Sequence, residues 1–134
     1  MIIDNRPQAL PFSILNAFTN RLDGGNPAAI VHLPSLLALP NVTLQTIATN
    51  FNQPMTAFIA PLAPGDHTAD PSGMTEARFG IRWFTPTLEV PLCGHATLAA
   101  AAAVFHGHAN RSTVFRAVEH EAGVVPAAER AGAA

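Results

Sequence analysis

Residues 82 to 105 constrain this chain more than any other stretch. Arg82-Trp83-Phe84-Thr85-Pro86 reads as a buried strand, and a short polar crossing follows it. Pro91-Leu92-Cys93-Gly94-His95-Ala96-Thr97-Leu98 then reads as a glycine turn that opens directly onto a helix. Beyond Ala96 the helix is apolar all the way round: Leu98, the alanines from Ala99 to Ala103, Val104 and Phe105. Such a helix is normally buried on every side. It is far shorter than the roughly 20 residues a membrane span needs, so the pattern predicts a central helix, at about residues 95–106, with sheet wrapped around it. Its first turn offers backbone N–H groups without intrahelical partners and the positive end of the helix dipole. Gly94, His95 and Ala96 therefore make a place for a carboxylate or a developing oxyanion, beside the Cys93 thiol and the His95 imidazole.

Composition narrows the function classes. A chain of 134 residues predicts one domain with a real core. Its charged fraction of 12% is about half the usual ~25%, which leaves apolar surface uncovered and predicts a homo-oligomer. Seven Arg, no Lys and a net charge of −2 provide no basic field for nucleic acid and no polybasic run for an anionic membrane. A single Cys excludes an internal disulfide and leaves either a buried or a reactive thiol. Residues 1 to 10 match neither a secretory signal nor a transit peptide, so a cytoplasmic location is expected.

Along the chain, Leu10 to Thr19 is rich in β-formers and ends in the dense turn signal Asn20 to Pro27. Gly24 and Gly25 permit positive φ there, and Asn26 precedes a proline, so the corner has a defined shape. Ala28 to Leu33 reads as the next strand, and Leu36 to Leu39 as a short helical turn. Thr43 to Asn52 places Leu44, Ile47, Ala48 and Phe51 at helical spacing, with Asn41 or Thr43 as the N-cap. Thr56 to Ala60 and Ala77 to Phe84 read as strands flanking a loop over 61–75, and Ser112 to Val118 as a last strand. His106-Gly107-His108 reads as a glycine-capped helix end. The His-x-His pair lacks a third ligand at a diagnostic spacing, so no metal is expected. Residues 1–9 read as an extension, 10–120 as the domain and 121–134 as a tail.

These motifs resemble, in order and spacing, the phenazine-biosynthesis PhzF-like family. The resemblance rests on Phe12 to Thr19, Gly25-Asn26-Pro27-Ala28-Ala29-Ile30-Val31, Leu44-Gln45 with Ile47-Ala48, Asn52 through Phe58, Arg82 to Pro86 and Leu92 to Leu98. It covers about residues 10 to 118, the amino-terminal half of a family member. What it implies is an α+β, diaminopimelate-epimerase-like domain: a strongly curved, barrel-like mixed or antiparallel sheet around a central helix, one of two that enclose a cleft. It also implies a cofactor-independent isomerase that shifts a proton on a small carboxylate-bearing metabolite, with relatives in secondary metabolism.

Three departures qualify the resemblance. Where the family carries Ser-Glu-Thr, with the Glu as general acid/base, this chain reads Pro54-Met55-Thr56, and a methionine carries no proton. Asn16 stands where the family usually has Asp. The second domain, with the acidic residue and hydroxyl it brings to the cleft, is absent from this sequence.

His95 and Cys93 are the candidate catalytic residues, and Asn26, Gly94, Ala96, Met55, Asn16 and Phe84 the candidate substrate-binding ones. A homodimer that rebuilds the two-walled cleft is the expected assembly. The function expected is a cofactor-independent isomerase or cyclase of a biosynthetic pathway, with a small-molecule substrate bearing a carboxylate or carbonyl. The alternative is a PhzF-like pseudoenzyme acting as a binding or partner module.

Overall fold

The computed structural model of the chain describes residues 9–62, 77–107 and 113–117. The elements run β1 (Phe12–Ala17), β2 (Asn26–His32), α1 (Asn41–Phe51), β3 (Thr56–Pro61), β4 (Ala77–Phe84), β5 (Glu89–Val90), α2 (Gly94–Gly107) and β6 (Thr113–Ala117). The six strands form one mixed sheet in the order β1-β2-β3-β4-β5, with β6 on β4. β2 and β3 are parallel, joined through α1, as are β4 and β6, while the other pairs are antiparallel.

Alternation along the strands decides which helix each residue meets. On one face Ala28 and Ile30 of β2, Met55 just before β3, Ala57 and Ile59 of β3, and Ile81 and Trp83 of β4 pack with Ala96, Ala99, Ala100 and Val104 of α2. On the other face Val31, Phe58, Ala60 and Phe84 pack with Leu44 and Ala48 of α1. α1 is helical because its apolar positions 44, 47, 48 and 51 share one face. Asn52 stops it in the left-handed region, at φ 49°, where its N–H bonds the Ala48 carbonyl.

The sheet is not closed into a barrel. Among the described residues β1 and β6 end the sheet on opposite sides without pairing to each other, and α2 packs chiefly on β1, β2 and β3. The apolar helix is consequently not buried all round: Leu98 is 39% exposed and Ala102 shares its outer face. Other sequence expectations change in smaller ways. Residues 36–39 form a turn, with the Ala38 N–H on the Ser35 carbonyl, and no helix. Pro40 precedes α1 without any side-chain cap. The two residues of β5 are too few to leave a pattern in the sequence. The loop over 61–75 falls mostly, and the tail wholly, outside the described residues.

Asn41 does not cap α1 because a buried cation claims its side chain. Arg82, 3% exposed, donates to Glu89 through Nε at 2.8 Å and Nη2 at 2.7 Å, and to Asn41 Oδ1 at 3.0 Å. Its guanidinium also lies over the Phe84 ring, 5.2 Å from the centroid. A positive charge beside a helix N-terminus is unfavourable, and the Glu89 carboxylate offsets it while anchoring β5 to β4. Glu89→Ala would strand the cation in the core, and should cost about 3–5 kcal/mol in a urea unfolding titration, as breaking a buried pair does.

His32, half-buried at the end of β2, has its pKa lowered from 6.5 by burial. The folded chain thus resists protonation there more than the unfolded chain does. That contribution is fully present above pH 6.5 and is lost as pH falls from 6.5 through the lowered folded value. Unfolding titrations at pH 7.5 and pH 5 should therefore show a smaller acid loss of stability in His32→Gln than in the unaltered chain.

Candidate active site

Four chain segments meet at one end of the sheet. β1 finishes there, with Asn16 opposite Pro27 and Ala17 opposite Asn26, and β2 begins. β3 begins there too, with Thr56 beside Ala29 and opposite Phe84, the last residue of β4. The corner between β1 and β2 is rigid. Gly25 sits at φ 76°, and a Cβ added to it would lie 2.3 Å from the Ala17 carbonyl oxygen, so only glycine fits. The Asn16 amide bonds the Leu22 carbonyl at 2.9 Å, and Arg21 pairs with Asp23 across the tip.

α2 opens against this corner. Cys93 acts as its N-terminal cap residue, since its carbonyl accepts the Thr97 N–H at 3.1 Å. The Cys93 Sγ lies 3.1 Å from His95 Nδ1, and His95 Nε2 lies 3.3 Å from the Pro27 carbonyl oxygen. A carbonyl oxygen only accepts, so Nε2 carries a proton. In the neutral ring Nδ1 is then the lone-pair nitrogen facing the thiol. The same heavy-atom arrangement serves thiol with imidazole and thiolate with imidazolium, and a proton can pass between them without either side chain moving. Cys93 and His95 are both half-buried and so reachable from solvent.

Around this pair the first turn is clear. Gly94 is exposed, its backbone suits any L-residue, and a Cβ added there would meet nothing within 4 Å. The glycine is thus not required by the fold of this chain, and the room over it is open to a ligand. Ala96 and Met55 are buried in the α2-side core, which gives the pair an apolar floor. Asn26 is exposed at the start of β2. Two candidates are placed elsewhere: Phe84, 2% exposed, packs edge-to-face on Phe58 in the α1-side core. Asn16 shares that face, because its neighbour Leu15 packs on the α2-side core and successive side chains alternate. Both stand at the site end of their strands, on the face away from Cys93 and His95.

Sequence reading passes over Thr97, whose hydroxyl donates to the Cys93 carbonyl at 2.7 Å and accepts from the Trp83 indole N–H at 3.0 Å. A threonine one helical turn after Cys93 is the signal that points to it. Among the described residues no three His, Cys, Asp or Glu side chains gather as a metal site would need, and no helix is long and apolar enough to cross a membrane.

The chain matches, over residues 15–133, the family model described as phenazine biosynthesis-like protein, PhzC-PhzF. It is 48% identical to phenazine biosynthesis-like domain-containing protein 1 of Mus musculus, over 78% of this chain and 34% of that protein. It is 40% identical to a protein of Halalkalibacterium halodurans called an uncharacterized isomerase, over 68% of this chain and 29% of that one. A crystal structure of a PhzF-family phenazine biosynthesis protein from Enterococcus faecalis superposes with a TM-score of 0.65 at 33% identity, covering 82% of this chain and 37% of that one. The chain thus spans about a third of the length of the curated relatives it matches.

Proposed function

The chain belongs to the phenazine biosynthesis-like family, whose relatives include proteins named isomerases, and from that premise we propose that it contributes the α2-mouth half-site of a cofactor-independent small-molecule isomerase. The observation that carries the reading is the Cys93–His95 pair, 3.1 Å apart with His95 tied to the Pro27 carbonyl, at the open first turn of α2. In this reading the N–H groups of Gly94, His95 and Ala96 hold a substrate carboxylate. The pair takes a proton from a neighbouring carbon: the C–H bond breaks, an S–H or N–H bond forms, and the proton returns to a different carbon. Met55 lies on the same face, 8% exposed and without a proton to give, so the proton traffic falls to Cys93 and His95. Ring closure of the isomerised product would need only orientation within the same pocket. A biosynthetic role and a cytoplasmic location belong to this proposal. The apolar Met55 equally favours a second reading, a binding module that has kept the fold without the chemistry.

The partner in this proposal is a second copy. Phe18, Leu22, Leu88 and Leu92 are exposed in the connections at the site end, and Leu98 is exposed on the outer face of α2; apolar surface of this kind is what interfaces cover. The exposed charges at the tip of the β1–β2 corner, Arg21 and Asp23, neutralise each other, so an identical surface meets it without like-charge repulsion.

Three measurements test these points. A panel of small unsaturated and α-substituted carboxylates in D2O should take up deuterium in the presence of the chain. Cys93→Ser and His95→Ala should each lower the exchange rate about 100-fold or more. Gly94→Ala, which the open space admits without strain, should weaken carboxylate binding. Saturable binding with no exchange would sink the enzyme reading and leave the binding module. Light scattering should give a dimer mass that Leu98→Asp reduces to a monomer, and a monomer in the unaltered chain would remove the second copy from the proposal.

A further inference from the structure

We infer that Thr97 and Trp83 are positioning residues for proton exchange between Cys93 and His95. Helix geometry alone does not bring these two side chains together, because residues two apart do not face each other on a helix. The contact exists because Cys93 stands just outside α2 while His95 lies in its first turn, and something has to hold Cys93 in that conformation. The Thr97 N–H already gives the Cys93 carbonyl the bond that the helix requires. The hydroxyl adds a second and shorter bond, 2.7 Å, to the same oxygen. A back-bond of this kind slightly destabilises and bends helices, so the helix itself does not call for it.

The hydroxyl is in turn fully oriented. Its one proton is committed to the Cys93 carbonyl, and it accepts the indole N–H of Trp83, a residue fixed in β4. Trp83 is 3% exposed and Thr97 5%, so neither can swing away. The carbonyl, held by two hydrogen bonds, fixes the Cys93–Gly94 peptide and with it the direction in which the Cys93 Cα–Cβ bond leaves the backbone. From the other side the Pro27 carbonyl of β2 fixes the imidazole. Two strands thus grip the two members of the pair, and 3.1 Å between Sγ and Nδ1 is the outcome. The ionic surroundings are simple. Of the strands α2 packs on, β1 and β3 carry no ionisable side chain and β2 only His32, at its opposite end. β4 carries Arg78 and Arg82, both on its other face by alternation with Phe79, Ile81 and Trp83, and Arg82 is paired with Glu89.

The inference rests on reading Cys93 and His95 as the proton pair, but its test needs no substrate, so the two can fail separately. Cys93 is the sole cysteine, and alkylation of the intact chain by iodoacetamide therefore reads this thiol alone. At pH 7, Thr97→Val should slow alkylation about fivefold, the worth of one hydrogen bond, and Thr97→Ser should restore the rate to within about twofold. In a His95→Ala background the Thr97→Val effect should vanish, because a positioning residue has nothing left to position. Replacing Trp83 by benzothienylalanine keeps the fused ring and exchanges only the indole N–H for sulfur; it should slow alkylation in the same direction and decides the matter if Thr97→Val does not fold. In nitrogen NMR, the neutral ring of His95 should show a protonated Nε2 and a bare Nδ1, and in Thr97→Val the Nδ1 signal should shift as the thiol facing it moves away. An unchanged or raised rate with unaltered His95 nitrogens, or an equal Thr97→Val effect with and without His95, would overturn the inference and leave Thr97 as a mere acceptor for a buried indole.

Discussion

A strand with a helix over each of its faces has no position to spare for solvent. β3 is in that situation: from Thr56 to Ala60 every side chain is buried, alternately under α1 and under α2. Apolar burial of this kind is worth about 25 cal/mol per Å² of surface removed from water, and two helices depend on it at once. The one polar side chain in the run, Thr56, has its hydroxyl fully buried with no hydrogen-bond partner among the described residues, a local cost that the surrounding packing offsets. Because β2 pairs with β3 in parallel, α1 must cross over the sheet between them, and that crossing fixes which face is left for α2.

The site inherits its precision from this arrangement. α2 cannot shift along the sheet without losing Ala96, Ala99, Ala100 and Val104 from the core, so its first turn is held at the end where β2 starts. On the other face, Gln45 and Thr49 of α1 bond the carbonyls of Thr85 and Pro86, which ties down the crossing that leads into α2. The chemistry-bearing pair is thus mounted between two packed layers, while the apolar surface at that end stays uncovered.

Much of this was legible in the residues. The periodicity of Leu44, Ile47, Ala48 and Phe51 and the strand-like runs before and after it mark real elements, and the order of motifs points to the right family. What escaped had physical reasons. An all-apolar helix looks buried on all sides when its covering layer is assumed, yet the open sheet leaves Leu98 in solvent. Asn41 has the composition of a cap, but a charge forty-one positions away in sequence takes its oxygen, and no local pattern announces that. Phe84 and Asn16 sit at the correct end of their strands, and only the register shows that their side chains leave on the α1 side. The expected roles of Cys93 and His95 remain proposals, although the geometry puts them in contact.

The bond between the Trp83 indole and Thr97 has one more consequence. The chain holds a single tryptophan and no tyrosine, so its near-ultraviolet emission comes from one residue without the usual background. That residue is hydrogen-bonded to the first turn of α2. The protein therefore carries its own optical gauge at the mouth of the helix, and light emitted by the unlabelled molecule reports on the same few atoms that orient the thiol.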